Sequence, residues 1–375
     1  PTPTEVVIAV QAPMTGPNAR TGQDMWDAAV LAAEEWNEKG GVLGRKIRLV
    51  RADTESDVTK GVEAVRRTIV EEEAEAVVGC YHSSIGIAIA EVVHEYGVPY
   101  VDASCVSNTI TETMKGKPYP EVFQYSPTSV GLGTTAADYL LHFYPDVERV
   151  VLIFEAAEWV KPALDAFEKK VKKELPDVQL KRWIHEFMAT DLYVELTAAK
   201  AFKPEFIFHG QTGVAVPAFI KQLREMGITG VKGSVGIGTL YTSDEIIKLG
   251  ITAEAEGFTG ETQFAFTVPM TEKFFPFLDK FNEKHGRTPL YSGCAEYDAM
   301  YVYLHAVEAA KTTEPASVIE ALKKTDFIGI KGRITFDEMQ RTPIPWTIMQ
   351  WQNGELKVVW PLEIAEVEPI PLTKE

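Results

Sequence analysis

The chain has 375 residues, with 37 Lys and Arg against 54 Asp and Glu, for a formal net charge of −17. That length exceeds one ordinary core and implies two domains, and 45% hydrophobic with 24% charged residues is a globular composition rather than a disordered one. The acidic balance excludes nucleic acid and an anionic membrane surface as partners, since both need a basic face, and no apolar run is long enough to span a bilayer.

Strands and helices alternate from the start. EVVIAV (5–10) reads as a short apolar strand leading into a Pro- and Gly-containing loop (12–22). A helix follows, with Met25, Ala28, Ala29, Ala32, Ala33 and Trp36 on one face, and it stops at Gly40-Gly41. Strand 46–53, helix 57–73, strand 74–80, a helix from Ser83 to Tyr96 and strand 99–103 complete a βαβαβαβ run, which specifies a parallel sheet with helices on both faces. The pattern restarts with strand 148–155 and a helix over 160–174, whose Pro162 sits in the first turn. Strand 178–187, helix 191–200, strand 204–210, helix 214–226, strand 233–238 and a helical stretch near 243–249 follow, so a second α/β unit fills 125–256. Beyond it come a strand-like segment (257–266), helices at 271–284, 293–310 and 315–324, and a strand-rich end with Asn353-Gly354 as a hairpin turn. The helices over 271–310 have no parallel strand of their own and must pack on an existing sheet, the first.

The three cysteines, Cys80, Cys105 and Cys294, form no framework and no zinc-type pair. The expectation is three buried, unreactive thiols; Cys80 and Cys105 each follow a strand, which leaves a pairing between them open. The Pro-Thr-Pro-Thr start reads as a spacer, as in an exported protein stripped of its signal or anchor, or in a cytosolic chain cut at a domain edge.

Catalytic signatures are missing. The loop after Val10 offers only Gly16 and Gly22, not G-x-G-x-x-G, and no P-loop, G-x-S-x-G elbow or H-E-x-x-H occurs. A dehydrogenase therefore ranks behind a binding protein. In open α/β sheets ligands sit beyond the carboxyl ends of the strands. In the first unit that edge carries Thr15, Tyr81, His82, Ser83, Ser84, Ser104, Cys105, Val106 and Ser107; in the second, Glu155, Trp159, His209, Gln211 and Thr212. Ser83 and Ser84 open a helix, where a Ser is either an ordinary N-cap or a donor that helps free amides hold an anion. Trp159 is either a stacking plate or a loop anchor.

These segments resemble the solute-binding proteins of branched-chain amino-acid ABC importers, the type I periplasmic binding proteins. The resemblance runs from about 5 to 360 and rests on PMTGPNARTG (13–22), EEWNEKGGVLGRKIRLVRAD (34–53), VVGCYHSSIGIAIAEVVHEYGVPYV (77–101), AEYDAMYVYLHAVEAA (295–310) and FIGIKGRITFD (327–337). It implies two α/β lobes joined by three crossovers, 1–124 with 258–334 and 125–257 with 335–375, and a ligand held between them by hinge closure. It implies an exported monomer, periplasmic or at the cell surface and lipid-anchored before processing. Such a protein takes no cofactor or metal, performs no covalent chemistry, and delivers its ligand to the importer's membrane permease subunits. The same fold also serves as the sensing module of receptors and amide-responsive regulators; the ending EVEPIPLTKE favours a free binding protein.

Within that family the start of the third helix holds the ligand carboxylate, a role that falls on Ser83 with Ser84 beside it. The loop after the fourth strand corresponds to Ser104, Cys105 and Val106, with Val106 in place of a Thr. Trp159 matches the aromatic at the head of the second lobe's first helix. Thr21 and Thr212 stand where relatives carry aromatics. The acid that pairs a ligand ammonium is missing near Gly238–Tyr241, and Asp244 belongs to a helix start. Two ligand classes follow: a small carboxylate or amide, including aromatic ones, stacked on Trp159 and tuned by Tyr81, His82 and His209; or an aliphatic amino acid whose acid comes from elsewhere, such as Glu155 or Glu261.

Overall fold

The computed structural model describes residues 4–112 and 114–373; the first three residues of the spacer-like start lie outside them. The chain forms two compact units, Pro1–Thr128 with Met270–Ile344 and Ser129–Pro269 with Pro345–Glu375, so it passes from one to the other after Thr128, Pro269 and Ile344.

The first unit opens with β1 (Glu5–Ala12), α1 (Ala19–Glu38), β2 (Lys46–Asp53), α2 (Val58–Val70), β3 (Ala76–Gly79), α3 (Ser83–Tyr96), β4 (Tyr100–Asp102) and β5 (Val122–Gln124). The second unit follows with α4 (Ser129–Phe143), β6 (Arg149–Glu155), α5 (Val160–Glu174), β7 (Gln179–His185), α6 (Tyr193–Phe202), β8 (Phe206–Gly210), α7 (Ala215–Glu225), β9 (Gly233–Ile237), α8 (Glu245–Lys248), α9 (Thr252–Ala255) and β10 (Thr259–Thr262). The chain returns to the first unit for α10 (Phe274–His285), α11 (Tyr291–Ala310), α12 (Pro315–Leu322), β11 (Asp326–Ile328) and β12 (Arg333–Thr335). It ends in the second with β13 (Thr347–Gln352) and β14 (Glu355–Trp360).

The first sheet is parallel, in the order β2-β1-β3-β4-β5. Registered residues share a face, so its two sides can be read off. Val7, Ala9, Val77 and Tyr100 belong to a core with α2 and α3 residues such as Val65, Ile85 and Ile89. Val10, Val78, Val101 and Phe123 form a row on the other side, where α11 lies against β3 and β4 and also packs on α1. The unpaired helix 293–310 expected from sequence does therefore cover the first sheet. The second sheet runs β14-β13-β10-β9-β8-β6-β7 and is parallel except for β13, which lies antiparallel to both its neighbours β10 and β14. A core on one of its faces joins Val151, Ile153 and Ile207 to Leu196, Phe219, Ile220, Tyr241, Phe258 and Trp351.

Three expectations need adjustment. The return to the first lobe, expected at 258, comes after Pro269, because Thr259–Thr262 pairs with β9 and β13 in the second sheet. The last crossing falls at Ile344 rather than 334, since Gln124 of β5 bridges to Arg341 and holds that segment to the first unit. Finally, Cys80 and Cys105 are not free thiols: they form a disulfide with a Cα–Cα distance of 5.6 Å, and Cys294 alone stays reduced and buried. Among the described residues no helix is long and apolar enough to cross a membrane.

Candidate functional site

At the carboxyl edge of the first sheet, the segments after β3 and β4 are tied together. The disulfide joins Cys80 to Cys105. The Cys105 N–H donates to Asp102 Oδ1 (2.9 Å), while Gln124 Nε2 donates to the carbonyls of Cys105 (2.8 Å) and Ser107 (3.2 Å). The bridge lies flat against α3 because residue 86 is glycine. A Cβ there would stand 2.8 Å from Cys80 Sγ and 2.9 Å from Cys105 Sγ.

This frame fixes the start of α3. Ser83 is the first helical residue and not the N-cap; that position belongs to His82, whose side chain caps no helix amide. Ser83 is 4% exposed, and its Oγ accepts the Ser107 N–H (3.2 Å), which links the two edge loops a second time. The Ile85 and Gly86 N–H groups donate to the His82 carbonyl (3.0 and 2.9 Å), which leaves the Ser83 and Ser84 N–H groups without an acceptor inside the helix. Ser104, 2% exposed, has a hydroxyl with no hydrogen-bond partner among the described residues. Val106 is buried beside it, and Tyr81 packs edge-on to His82 at 5.0 Å. Asn18 Nδ2 lies 3.0 Å from His82 Nε2. An amide donor there suits a neutral imidazole, and burial pushes the His82 pKa down to about 4. Asn18 and Gln124 were not among the residues expected from sequence; Asn18 was in plain view within PMTGPNARTG, whereas nothing in the local pattern marks Gln124.

Two expected members stand apart. Ser84 is exposed, so it turns away from the buried group around Ser83. Thr21 is not in the loop after β1 but in the first turn of α1, where it is 4% exposed.

The carboxyl edge of the second sheet has its own cluster. Trp159 immediately precedes α5, is 8% exposed, and meets Phe154 edge-on at 5.9 Å. Gly210 makes room for it: a Cβ there would come within 2.7 Å of the indole and 2.4 Å of the Phe154 ring. Thr212 donates its hydroxyl to Glu155 Oε1 (2.9 Å) and its N–H to Oε2 (3.1 Å), and the Met188 N–H reaches the same Oε2 (3.4 Å). Burial raises the Glu155 pKa to about 7, with the Thr212 bonds opposing it.

His209 is a core residue. It is fully buried, stacked on Phe219 at 4.7 Å, and its Nδ1 lies 3.0 Å from the Tyr241 hydroxyl and 3.3 Å from Gln211 Oε1. Alternation along β8 turns His209 to the face of Ile207, opposite Phe208 and Gly210, which is why it joins the core instead of Trp159. Burial drives its pKa down to about 3.

One residue named only as an alternative has an unusual environment, which it shares with Glu296 of α11. Glu261 on β10 is 1% exposed, and neither carboxylate oxygen has a hydrogen-bond partner among the described residues. Desolvation alone acts on it and pushes its pKa well up. Gly238–Tyr241 carries no acid, as the sequence indicates, and Asp244 sits at the start of α8.

Comparison with known proteins fits this arrangement. An amino-acid-binding protein of Pseudomonas aeruginosa is 26% identical over 365 residues, covering 93% of this chain and 91% of that one. The leucine-binding protein LivK of Thermotoga maritima superposes with a TM-score of 0.83 at 25% identity, covering 94% of this chain and 97% of the other. A solute-binding protein of an ABC transporter from R. palustris, in complex with benzoate, has the same fold, with a TM-score of 0.82 at 17% identity and 98% coverage of both chains. The family model described as periplasmic binding protein matches residues 5–355, and this chain belongs to that family.

Proposed function

We propose that this protein is the extracytoplasmic solute-binding component of an ABC importer, and that it captures a small carboxylate-bearing solute, an amino acid or a close relative. The observation that carries the reading is the start of α3. The Ser83 and Ser84 N–H groups at the uncapped helix start, a buried Ser83 hydroxyl and the unpartnered Ser104 hydroxyl lie on one sheet edge within a cross-linked frame. Helix amides and the helix dipole favour a carboxylate there, and hydroxyls add donors.

The relatives support the same class: one is named for binding amino acids, one for leucine, and one holds benzoate. A disulfide between Cys80 and Cys105 suits an oxidising compartment outside the cytoplasm. Binding and release need no bond to be made or broken, so no catalytic role is assigned to any residue. The membrane permease subunits of the importer would receive the solute.

Titration calorimetry against leucine, isoleucine, phenylalanine, benzoate and a neutral amide tests the reading. Binding of at least one carboxylate, weakened by Ser83→Ala, is expected. Binding of the amide alone, or of no carboxylate, overturns it.

A further inference from the structure

We propose that Arg341 is a positioning residue for the solute site: it grips the loop after β4, and through Ser107 of that loop it sets the Ser83 hydroxyl at the start of α3. This rests on the solute-binding reading above and adds to it a side chain from a distant part of the sequence, 233 positions from Asn108, whose carbonyl it holds.

The loop after β4 is held at both ends, in each case from within the first unit. At the front, Gln124 Nε2 donates to the Cys105 and Ser107 carbonyls. Beyond Ser107 the loop makes a turn of 3-10 helix, Asn108–Thr111, and Ser107 caps it by accepting the Thr109 N–H at its Oγ (3.2 Å). Arg341 closes on this turn. Its Nε donates to Thr111 Oγ1 (2.6 Å), and its Nη2 to the Asn108 carbonyl (2.7 Å) and to Glu112 Oε1 (2.8 Å). Ser107 is thus the link between two sites. Its hydroxyl belongs to the turn that Arg341 grips, and its N–H donates to Ser83 Oγ.

Arg341 is itself firmly seated. Asp337 Oδ1 accepts the N–H groups of Met339 (2.8 Å) and Arg341 (3.0 Å), and the Asp337 N–H donates to the Arg341 carbonyl (2.9 Å). The residues on either side run along β5: the Gln124 N–H donates to the Gln340 carbonyl (2.8 Å), and the Thr342 N–H to the Gln124 carbonyl (3.1 Å). One segment therefore anchors both grips, Gln124 through its backbone and Arg341 directly. The ion pair with Glu112 alone would contribute little, because Glu112 is well exposed. The other two acceptors, a backbone carbonyl and the hydroxyl of the fully buried Thr111, are what a rigid fork of donors can hold in fixed geometry. Without that fork the loop gains freedom that the solute must remove when it binds, and affinity falls by that cost.

The test is a double-mutant cycle between Arg341 and Ser83, read by calorimetry. Leucine, isoleucine, phenylalanine and benzoate are titrated into the wild type, and the tightest binder is carried through the variants, each first shown by thermal melting to be folded at the titration temperature. Arg341→Met should weaken binding about tenfold alone and less than about twofold in a Ser83→Ala background, where the link it acts through is gone. Thr111→Val, which removes one acceptor of the fork, should show the same pattern with a loss of about threefold, and it carries the test if Arg341→Met does not fold. Arg333→Met removes an exposed pair with Asp326 in the same unit and should leave the affinity unchanged. Unchanged affinity in the folded Arg341 or Thr111 variant, or an equal fold-loss in both backgrounds, makes Arg341 a structural support alone and overturns the proposal, while the solute-binding reading stands. A wild type that binds none of the panel, or binding indifferent to Ser83→Ala, overturns that reading and the proposal with it.

Discussion

Replacing Gly86 by Ala tests whether the disulfide is packed into the site frame or merely lies near it. An added Cβ would sit 2.8 and 2.9 Å from the two sulfurs and 3.2 Å from Ile110 Cδ1. The sulfurs cannot drift away, because Cys105 is held at both its N–H and its carbonyl. Overpacking of this kind costs about 1–3 kcal/mol, and a rigid obstacle puts it near the upper end. Gly to Ala in a helix interior returns about 1 kcal/mol. The net expectation is a loss of about 2 kcal/mol. In a Cys80→Ala/Cys105→Ala background the obstacle is gone and only the flexible Ile110 end remains, so the same change should stabilise by up to about 1 kcal/mol. The background itself starts lower by about 3.5 kcal/mol, from the 25-residue separation that the bridge closes. Urea unfolding of the four ligand-free proteins, followed by circular dichroism, gives the coupling directly. A Gly86→Ala effect of the same sign and size in both backgrounds would refute the packing argument.

Other substitutions probe the two edges. Ser83→Ala should weaken carboxylate binding by about 10- to 100-fold in calorimetry, while Ser84→Ala, on an exposed side chain, should leave it within twofold or so. Gly210→Ala should displace the Trp159 indole, seen as a shifted tryptophan emission, and cost about 1–3 kcal/mol of stability. Glu155 makes a pH prediction: its folded pKa of about 7 lies above the ordinary 4.5, so its contribution is full below pH 4.5 and lost as pH rises through 7. Glu155→Gln cannot titrate, and its stability should fall less between pH 5 and 8 than that of the wild type, by roughly 2–3 kcal/mol. Parallel pH profiles for the two proteins in denaturant melts would contradict the shift.

Much of the frame was legible in the sequence because periodicity and strand ends carry it. The α3 and α5 helices match the apolar spacing at Ser83–Tyr96 and Val160–Glu174, and Ser83 is where a helix start at a strand end had to lie. Helix α4 escaped notice, since Gly131, Gly133 and the Ser and Thr around them dilute the apolar stripe of Leu132, Ala136 and Leu140. The disulfide could not be read because linear spacing says nothing about the distance between two loops. His209 was misplaced for a related reason: the strand was recognised, but which of its faces looks into the α7 core depends on partners such as Phe219, Tyr241 and Phe258. Glu261 shows the limit most clearly. A Glu among Thr and Gln residues looks unremarkable in sequence, and its isolation appears only once burial and hydrogen bonding are known.

The interleaved chain path has a consequence for how this protein comes into being. All five strands of the first sheet are made early, yet the row Val10, Val78, Val101 and Phe123 is covered by α11, which emerges only after β6 to β10 have been synthesised. A nascent chain thus carries a finished sheet with one greasy face covered only over β1 and β2, by α1, for most of its synthesis. Such a chain cannot settle segment by segment as it leaves the ribosome, which keeps it loose and threadable until late. For a polypeptide that must pass a membrane before it folds, that delay is an asset, and it makes any truncation ahead of residue 310 a recipe for aggregation.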